Sequence, residues 1–167
     1  MTTVTLDTNL VDDQHLLVAA CAAGFQVAHT TVTDRELSGS GVTAVDGRRA
    51  ALYETGVVGE SIVGLFVVGS KAEAVNFEEL LEIISCGSFP RGEKRKNLTE
   101  GQRRQVRDAM IFCTHAREKR DIFVTNDQKG FINDGRREFL EQRFGTTIRT
   151  AEEFFSICDA TRLKKNV

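Results

Sequence analysis

The chain has 167 residues, 41% of them hydrophobic and 28% charged, with a formal net charge of -2. That length suits one domain with a full core, and the composition is that of an ordinary globular protein and not of a low-complexity chain. A protein that coated nucleic acid with its whole surface would be basic, so a nucleic-acid partner of this chain must be met by a local patch.

Along the chain, Val4-Thr5-Leu6 forms a short strand-like run that ends at Asp7. Leu16, Leu17, Ala20, Cys21 and Ala23 then recur at helical spacing up to Gly24. Phe25 to Ala28 reads as a second strand, and a second helix starts at Thr33 with Glu36 three residues on. The stretch from Ser38 to Gly59 predicts a short helix over Asp46–Glu54. Ser61 to Val68 has the composition of a buried strand. Asn76 to Ile84 is helical in period, and Gly87 to Asn97 is loop-like and basic. Thr99 with Gln102 matches a capping box for a helix running to about Arg117. Ile122 to Thr125 is the clearest strand. A helix over Asp134–Phe144 stops at Gly145, and a strand at Thr147-Ile148 leads into a last helix capped by Thr150 with Glu153. Strands alternating with helices predict an α/β fold with a mainly parallel sheet, right-handed crossovers and helices on both faces.

Cys21, Cys86, Cys113 and Cys158 offer no CxxC pair. Cys21, Cys113 and Cys158 sit in apolar helical patterns, and reduced core thiols in a cytoplasmic protein are expected. No basic stretch followed by an apolar stretch comes after Met1, so no signal peptide is expected, and the longest apolar run is too short to span a bilayer, so no membrane partner is expected.

In an open parallel sheet, sites form beyond the C-terminal strand ends. Asp7 and Asp127 stand at two such ends, and the helix carrying Asp108 feeds directly into the second of these strands. Carboxylates gathered in one crevice repel each other unless a cation neutralises them, and a hard divalent ion with oxygen ligands does this well. Such an ion also stabilises charge on a phosphoryl oxygen. Each acid has a plainer role too. Asp7 and Asp127 suit turns, and Thr33 with Glu36 suits a capping box. Asp108, in mid-helix beside the apolar face, has no cap to make.

Taken in order, Leu6-Asp7-Thr8-Asn9, Glu36, Asp108-Ala109-Met110-Ile111, Val124-Thr125-Asn126-Asp127 with Phe131 after it, and the closing Ile148 to Phe154 resemble the PIN-domain nucleases. The resemblance implies a three-layer α/β/α PIN-like domain over residues 1–167 and a Mg²⁺ or Mn²⁺ site of three or four acids. The implied activity is endonucleolytic hydrolysis of single-stranded RNA. Many members are VapC-like toxins held by a cognate antitoxin, and many are homodimers. By motif position, Asp7, Glu36, Asp108 and Asp127 would be the catalytic, metal-binding acids. Thr8, Asn9, Thr125 and Asn126 would be the polar groups that orient them. Two departures stand out: the segment at roughly 38–97 is longer than in the compact toxins and is an unmatched insertion, and Gln128-Lys129-Gly130 lacks the further Asp that some members carry before the Phe.

For RNA, the basic candidates are Arg91, Lys94, Arg95 and Lys96 in the loop, then Arg103, Arg104 and Arg107 on the helix leading to Asp108. They would give salt-sensitive affinity without sequence readout, or else form a solvated charged face. Lys119-Arg120 and Arg136-Arg137 read as plain surface. His115, two turns from Asp108, is too far to share an ion and is expected to be structural. The competing reading is a catalytically inactive PIN-like module that binds RNA or protein. A phosphotransferase using Asp7 as nucleophile is disfavoured by Asn9, where a second acid would be needed.

Overall fold

The computed structural model describes residues 1–39 and 50–165. Five strands form one parallel sheet: β1 Thr3–Leu6, β2 Gln26–Thr30, β3 Ala50–Leu52, β6 Ile122–Val124 and β7 Thr147–Arg149, in the spatial order β3-β2-β1-β6-β7. A separate parallel pair, β4 Glu54–Thr55 and β5 Phe66–Val67, lies in the segment between β3 and the next helix. The helices are α1 Gln14–Ala23, α2 Thr31–Gly39, α3 Lys71–Ile84, α4 Glu100–Arg117, α5 Arg136–Phe144 and α6 Ala151–Lys165.

The pleat of the sheet sorts the core into two layers. Val4, Leu6, Ile122 and Val124 pack with Leu16 and Ala20 of α1 and with Phe154 and Cys158 of α6. On the other face, Phe123 and Ile148 join α3, α4 and α5 through Leu80, Met110, Phe112 and Leu140. The chain is therefore a three-layer α/β/α protein, as the alternation of elements predicts. No helix among the described residues is long and apolar enough to cross a membrane.

Local signals set most helix ends. Thr99 and Gln102 form the expected capping box of α4, and Gly24 and Gly145 end α1 and α5 in left-handed conformation. The Thr150 hydroxyl accepts from Glu153 N while a Glu153 oxygen accepts from Thr150 N, closing the predicted cap of α6.

Several expectations fail. The helix predicted over Asp46–Glu54 is absent from its described part, where residues 50–52 and 54–55 are strands; residues 46–49 lie outside the described residues. Pairing with the edge of β2 decides the local structure there. Of Ser61–Val68 only Phe66–Val67 is a strand, and Val63 and Val68 are 90% and 82% exposed. Gly64, at φ +92°, turns the chain where a continuous strand would have to run. α3 starts earlier than Asn76, at a Ser70–Glu73 capping box. Cys21 is exposed and not in the core; all four cysteines are free. Arg120 is buried, donating to the Val4 and Gln26 carbonyls between strands, because its position just before β6 aims it under the sheet.

Candidate functional site

The sheet order places a topological switch between β1 and β6. From β1 the chain winds outward through β2 and β3, then returns to the opposite side of β1 to lay down β6 and β7. Clefts at the C-terminal edge of such a switch are where open α/β sheets bind ligands. Leu6 is in register with Val124, so the residues just past them, Asp7 and Thr125, leave the sheet together at that edge.

Asp7 is buried. Its backbone N–H donates to the Val124 carbonyl at 3.0 Å, Thr8 N donates to its Oδ1 at 2.8 Å, and the Thr125 hydroxyl donates to its Oδ2 at 2.6 Å. The same Thr125 oxygen accepts from Asp127 N at 3.0 Å. Asp127 opens a wide helical turn over Gln128–Ile132. Its Oδ1 accepts from Lys129 N and Gly130 N, at 3.1 and 3.0 Å. Phe131 seals this turn into the core against Phe112 and Phe123, with ring centroids 5.5 and 5.3 Å away.

Asp108 arrives from α4, which runs antiparallel to the strand that follows it. About two and a half turns separate it from Arg117, roughly 13 Å along the axis, against roughly 10 Å for β6 up to Thr125. That brings Asp108 level with the strand ends. Among the described residues nothing hydrogen-bonds its side chain. Glu36 comes from α2. The helix starts at Thr31, two residues before the expected Thr33, so Thr33 lies inside it and the expected capping box does not form. The Glu36 carboxylate is thereby turned toward β1, where the Thr8 hydroxyl donates to its Oε2 at 2.6 Å.

The four acids feel one another. Burial, with the charges of Asp127 and Glu36, raises Asp7 to about 6 against the pull of the Thr125 and Thr8 hydrogen bonds. Burial, then the charges of Asp7, Asp127 and Glu36, raises Asp108 to about 8, with Arg104 pulling it down. Carboxyls that hold protons this high are short of positive charge. The donor set suits a hard divalent cation, since it offers anionic oxygens, and Asp108 and Asp127 Oδ2 accept no hydrogen bond from the described residues. The side chains share a field without meeting at a point: among the described residues no three His, Cys, Asp or Glu groups converge as a ready-made ion cage.

The polar neighbours divide. Thr8 and Thr125 touch the acids, as expected. Asn126 instead turns to α6 and accepts from Ala151 N at 3.0 Å, and Asn9 is exposed in the turn Thr8–Leu10. His115 is structural, buried between the Thr5 and Thr146 hydroxyls, and its burial holds it down to about 3.

The seven basic candidates do not make one open patch. Arg91 and Arg95 pair with Glu82 and Glu78 of α3, and Lys96 pairs with Glu93. Lys94 is exposed in the same loop. Arg104 sits 3.9 Å from Glu100. Arg103 and Arg107 meet a residue that motif reading passes over, Glu60, at 2.6 and 3.8 Å. Glu60 lies between β4 and β5, and no sequence signal links it to α4.

No protein-family model matches this chain, and no curated protein matches it.

Proposed function

We propose that the chain is a divalent-metal-dependent endoribonuclease that hydrolyses phosphodiester bonds of single-stranded RNA, with a PIN-like arrangement of acids. The observation that carries this is the coupling of Asp7, Glu36, Asp108 and Asp127, drawn from four separate elements, at the switch point of the sheet. A structural need explains Asp7 and Asp127 individually, since both satisfy local N–H groups. It does not explain why Asp108 and Glu36 are brought into the same field at a cost in repulsion.

Bound Mg²⁺ or Mn²⁺, held by these carboxylates, would offset their mutual repulsion and stabilise negative charge developing on the scissile phosphate. The chain's own groups do the remaining work. Thr125 fixes Asp7 and Asp127 relative to each other through one hydroxyl, and Thr8 fixes Glu36. Asp108, which accepts no hydrogen bond from the described residues, would be available to hold the ion, and Asp127 or Asp7 would assist removal of a proton from the attacking water. Four free cysteines among the described residues favour a reducing, cytoplasmic setting. The narrower reading, a toxin with an antitoxin and a homodimeric state, rests on the family resemblance alone.

The test is cleavage of a single-stranded RNA with Mn²⁺ and with EDTA, comparing wild type with Asp7→Asn and Asp108→Asn. Cleavage that persists in EDTA, or full activity in either variant, rejects the proposal. One observation favours the second reading, an inactive RNA- or protein-binding module: three of the four acids already have local hydrogen-bond partners and do not converge. Absence of a Mn²⁺ binding signal in the millimolar range, with RNA binding retained, would decide for it.

A further inference from the structure

We infer that Glu60 is a built-in competitor for the substrate backbone: it occupies Arg103 and Arg107, the guanidiniums beside the acidic site that a polyanion must engage. The inference rests on the nuclease reading for the identity of the polyanion, and on geometry for the competition itself.

Arg107 precedes Asp108 on α4 and faces three carboxylates: Glu36 at 3.5 Å, Glu60 at 3.8 Å and Glu100 at 3.4 Å. Arg103, one turn earlier on the same face, bonds Glu60 at 2.6 Å. One carboxylate therefore lies against both arginines, as a phosphate following the strand toward Asp108 would.

The segment that delivers Glu60 is held by charge more than by packing. Arg35, next to Glu36, donates to the Glu60 carbonyl and pairs with the fully buried Glu54 at 3.0 Å. Glu54 in turn accepts from Thr31 at the start of α2. This fixes the root of the segment and, through the Arg35 bond, the Glu60 backbone, leaving the Glu60 side chain to its ion pairs. The tip of the segment differs: Gly59 and Gly64 take positive φ, at +86° and +92°, with open space around them, and Val58 and Val63 are exposed. Val57 packs against the core on the near side of the tip, while Val58 and Val63 leave its outer side without apolar cover. Glu60 is 11% exposed, but Arg103 and Arg107 are 39% and 25% exposed, so solvent and salt reach the pairs from the arginine side and weaken them. The Glu60 contacts can thus yield to a polyanion that brings several phosphates at once, while Glu54 keeps the root in place. Net affinity is then lower than the count of arginines implies, so weakly held or short polyanions are excluded.

The experiment measures binding of a fluorescent single-stranded RNA, and separately of heparin, in EDTA over a salt series. It compares wild type, Glu60→Gln, and Glu60→Gln with Arg103→Ala and Arg107→Ala, each checked for folding by circular dichroism. Glu60→Gln should tighten both ligands about fivefold and steepen the salt dependence by about one counterion, and the arginine substitutions should abolish the gain. If Glu60→Gln unfolds, Glu60→Asp, one methylene shorter, should give the same change at smaller size. Unchanged or weaker heparin binding in a folded variant overturns the inference. A gain for heparin without Mn²⁺-dependent RNA cleavage upholds the competitor and rejects the nuclease.

Discussion

The Thr125 hydroxyl spans the β1–β6 seam. It donates to Asp7 Oδ2 at 2.6 Å and accepts from Asp127 N at 3.0 Å, so one buried side chain sets the relative placement of both strand-end acids. Thr125→Val keeps the shape and removes both bonds. It should destabilise the fold by about 1–3 kcal/mol, because buried polar groups lose their partners. The Thr125 bond holds Asp7 down against burial, so in the variant the Asp7 carboxyl should titrate above its value of about 6. Mn²⁺ affinity should fall about tenfold or more. Urea unfolding, carboxyl NMR titration and metal titration read the three effects, and an unchanged Asp7 titration would refute the assigned role.

What the sequence made legible was local or periodic. Gly24, Gly145 and the Thr99 and Thr150 caps act through their own neighbours, so they were readable directly. Asp7, Asp108 and Asp127 were readable because strand ends and a missing cap role are statements about local geometry. Glu36 was half legible. Its motif fits a capping box and a site equally, and only the start of α2 at Thr31 decides which forms. The segment from 50 to 68 was not legible, since short apolar runs carry no sign of whether a partner strand will cover them. Glu60 gave no signal at all, because its contacts join residues 43 apart in the chain.

Gly130 makes a close approach that a side chain would block. A Cβ there would lie 2.3 Å from Asp127 Oδ2, while its backbone N–H bonds Asp127 Oδ1. Its φ is not in the left-handed region, so backbone strain is not the issue. Gly130→Ala should therefore push the Asp127 carboxylate aside, with activity and Mn²⁺ affinity reduced about tenfold or more. Stability should fall by about 0.5–2 kcal/mol, since the displaced carboxylate gives up its bonds to Lys129 N and Gly130 N, so activity and affinity are compared per folded molecule. A fully active Gly130→Ala protein would show that Asp127 need not hold this orientation.

His115 tests whether structure and site are separate. Its ring joins Thr5 of β1 to Thr146 before β7, and burial keeps it neutral down to about 3. The unfolded chain binds this proton near 6.5, so its contribution to stability is full above that value and is lost as pH falls toward about 3. His115→Leu should remove that dependence and leave the buried Thr5 hydroxyl unpaired, at about 1–3 kcal/mol, while the Thr146 hydroxyl keeps its longer bonds to the Arg120 and Asp121 carbonyls. Mn²⁺ affinity per folded molecule should not change. A lowered affinity in the folded variant would join His115 to the site.

Asp108 gives the opposite dependence. In the folded chain Asp7 and Asp108 keep their protons to about 6 and about 8, against a value of 3.8 when unfolded. Between those limits the folded state binds more protons, so stability falls as pH rises. Their contribution is full below about pH 4 and is lost as pH passes about 8. Asn at position 108 resembles the protonated acid and carries no charge. Solvent screening and the coupling among the acids keep the effect well below the full shift. In EDTA at pH 8, Asp108→Asn should exceed wild type by on the order of 2 kcal/mol, or roughly 5 °C in Tm. Near pH 4 the two should match. The His115 dependence is common to both proteins and cancels in the difference. Saturating Mn²⁺ at pH 8 should reverse the order, because only wild type keeps the full set of carboxylates for the ion to neutralise. If the difference between the two proteins does not grow from pH 5 to pH 8 in EDTA, the acids do not share a field.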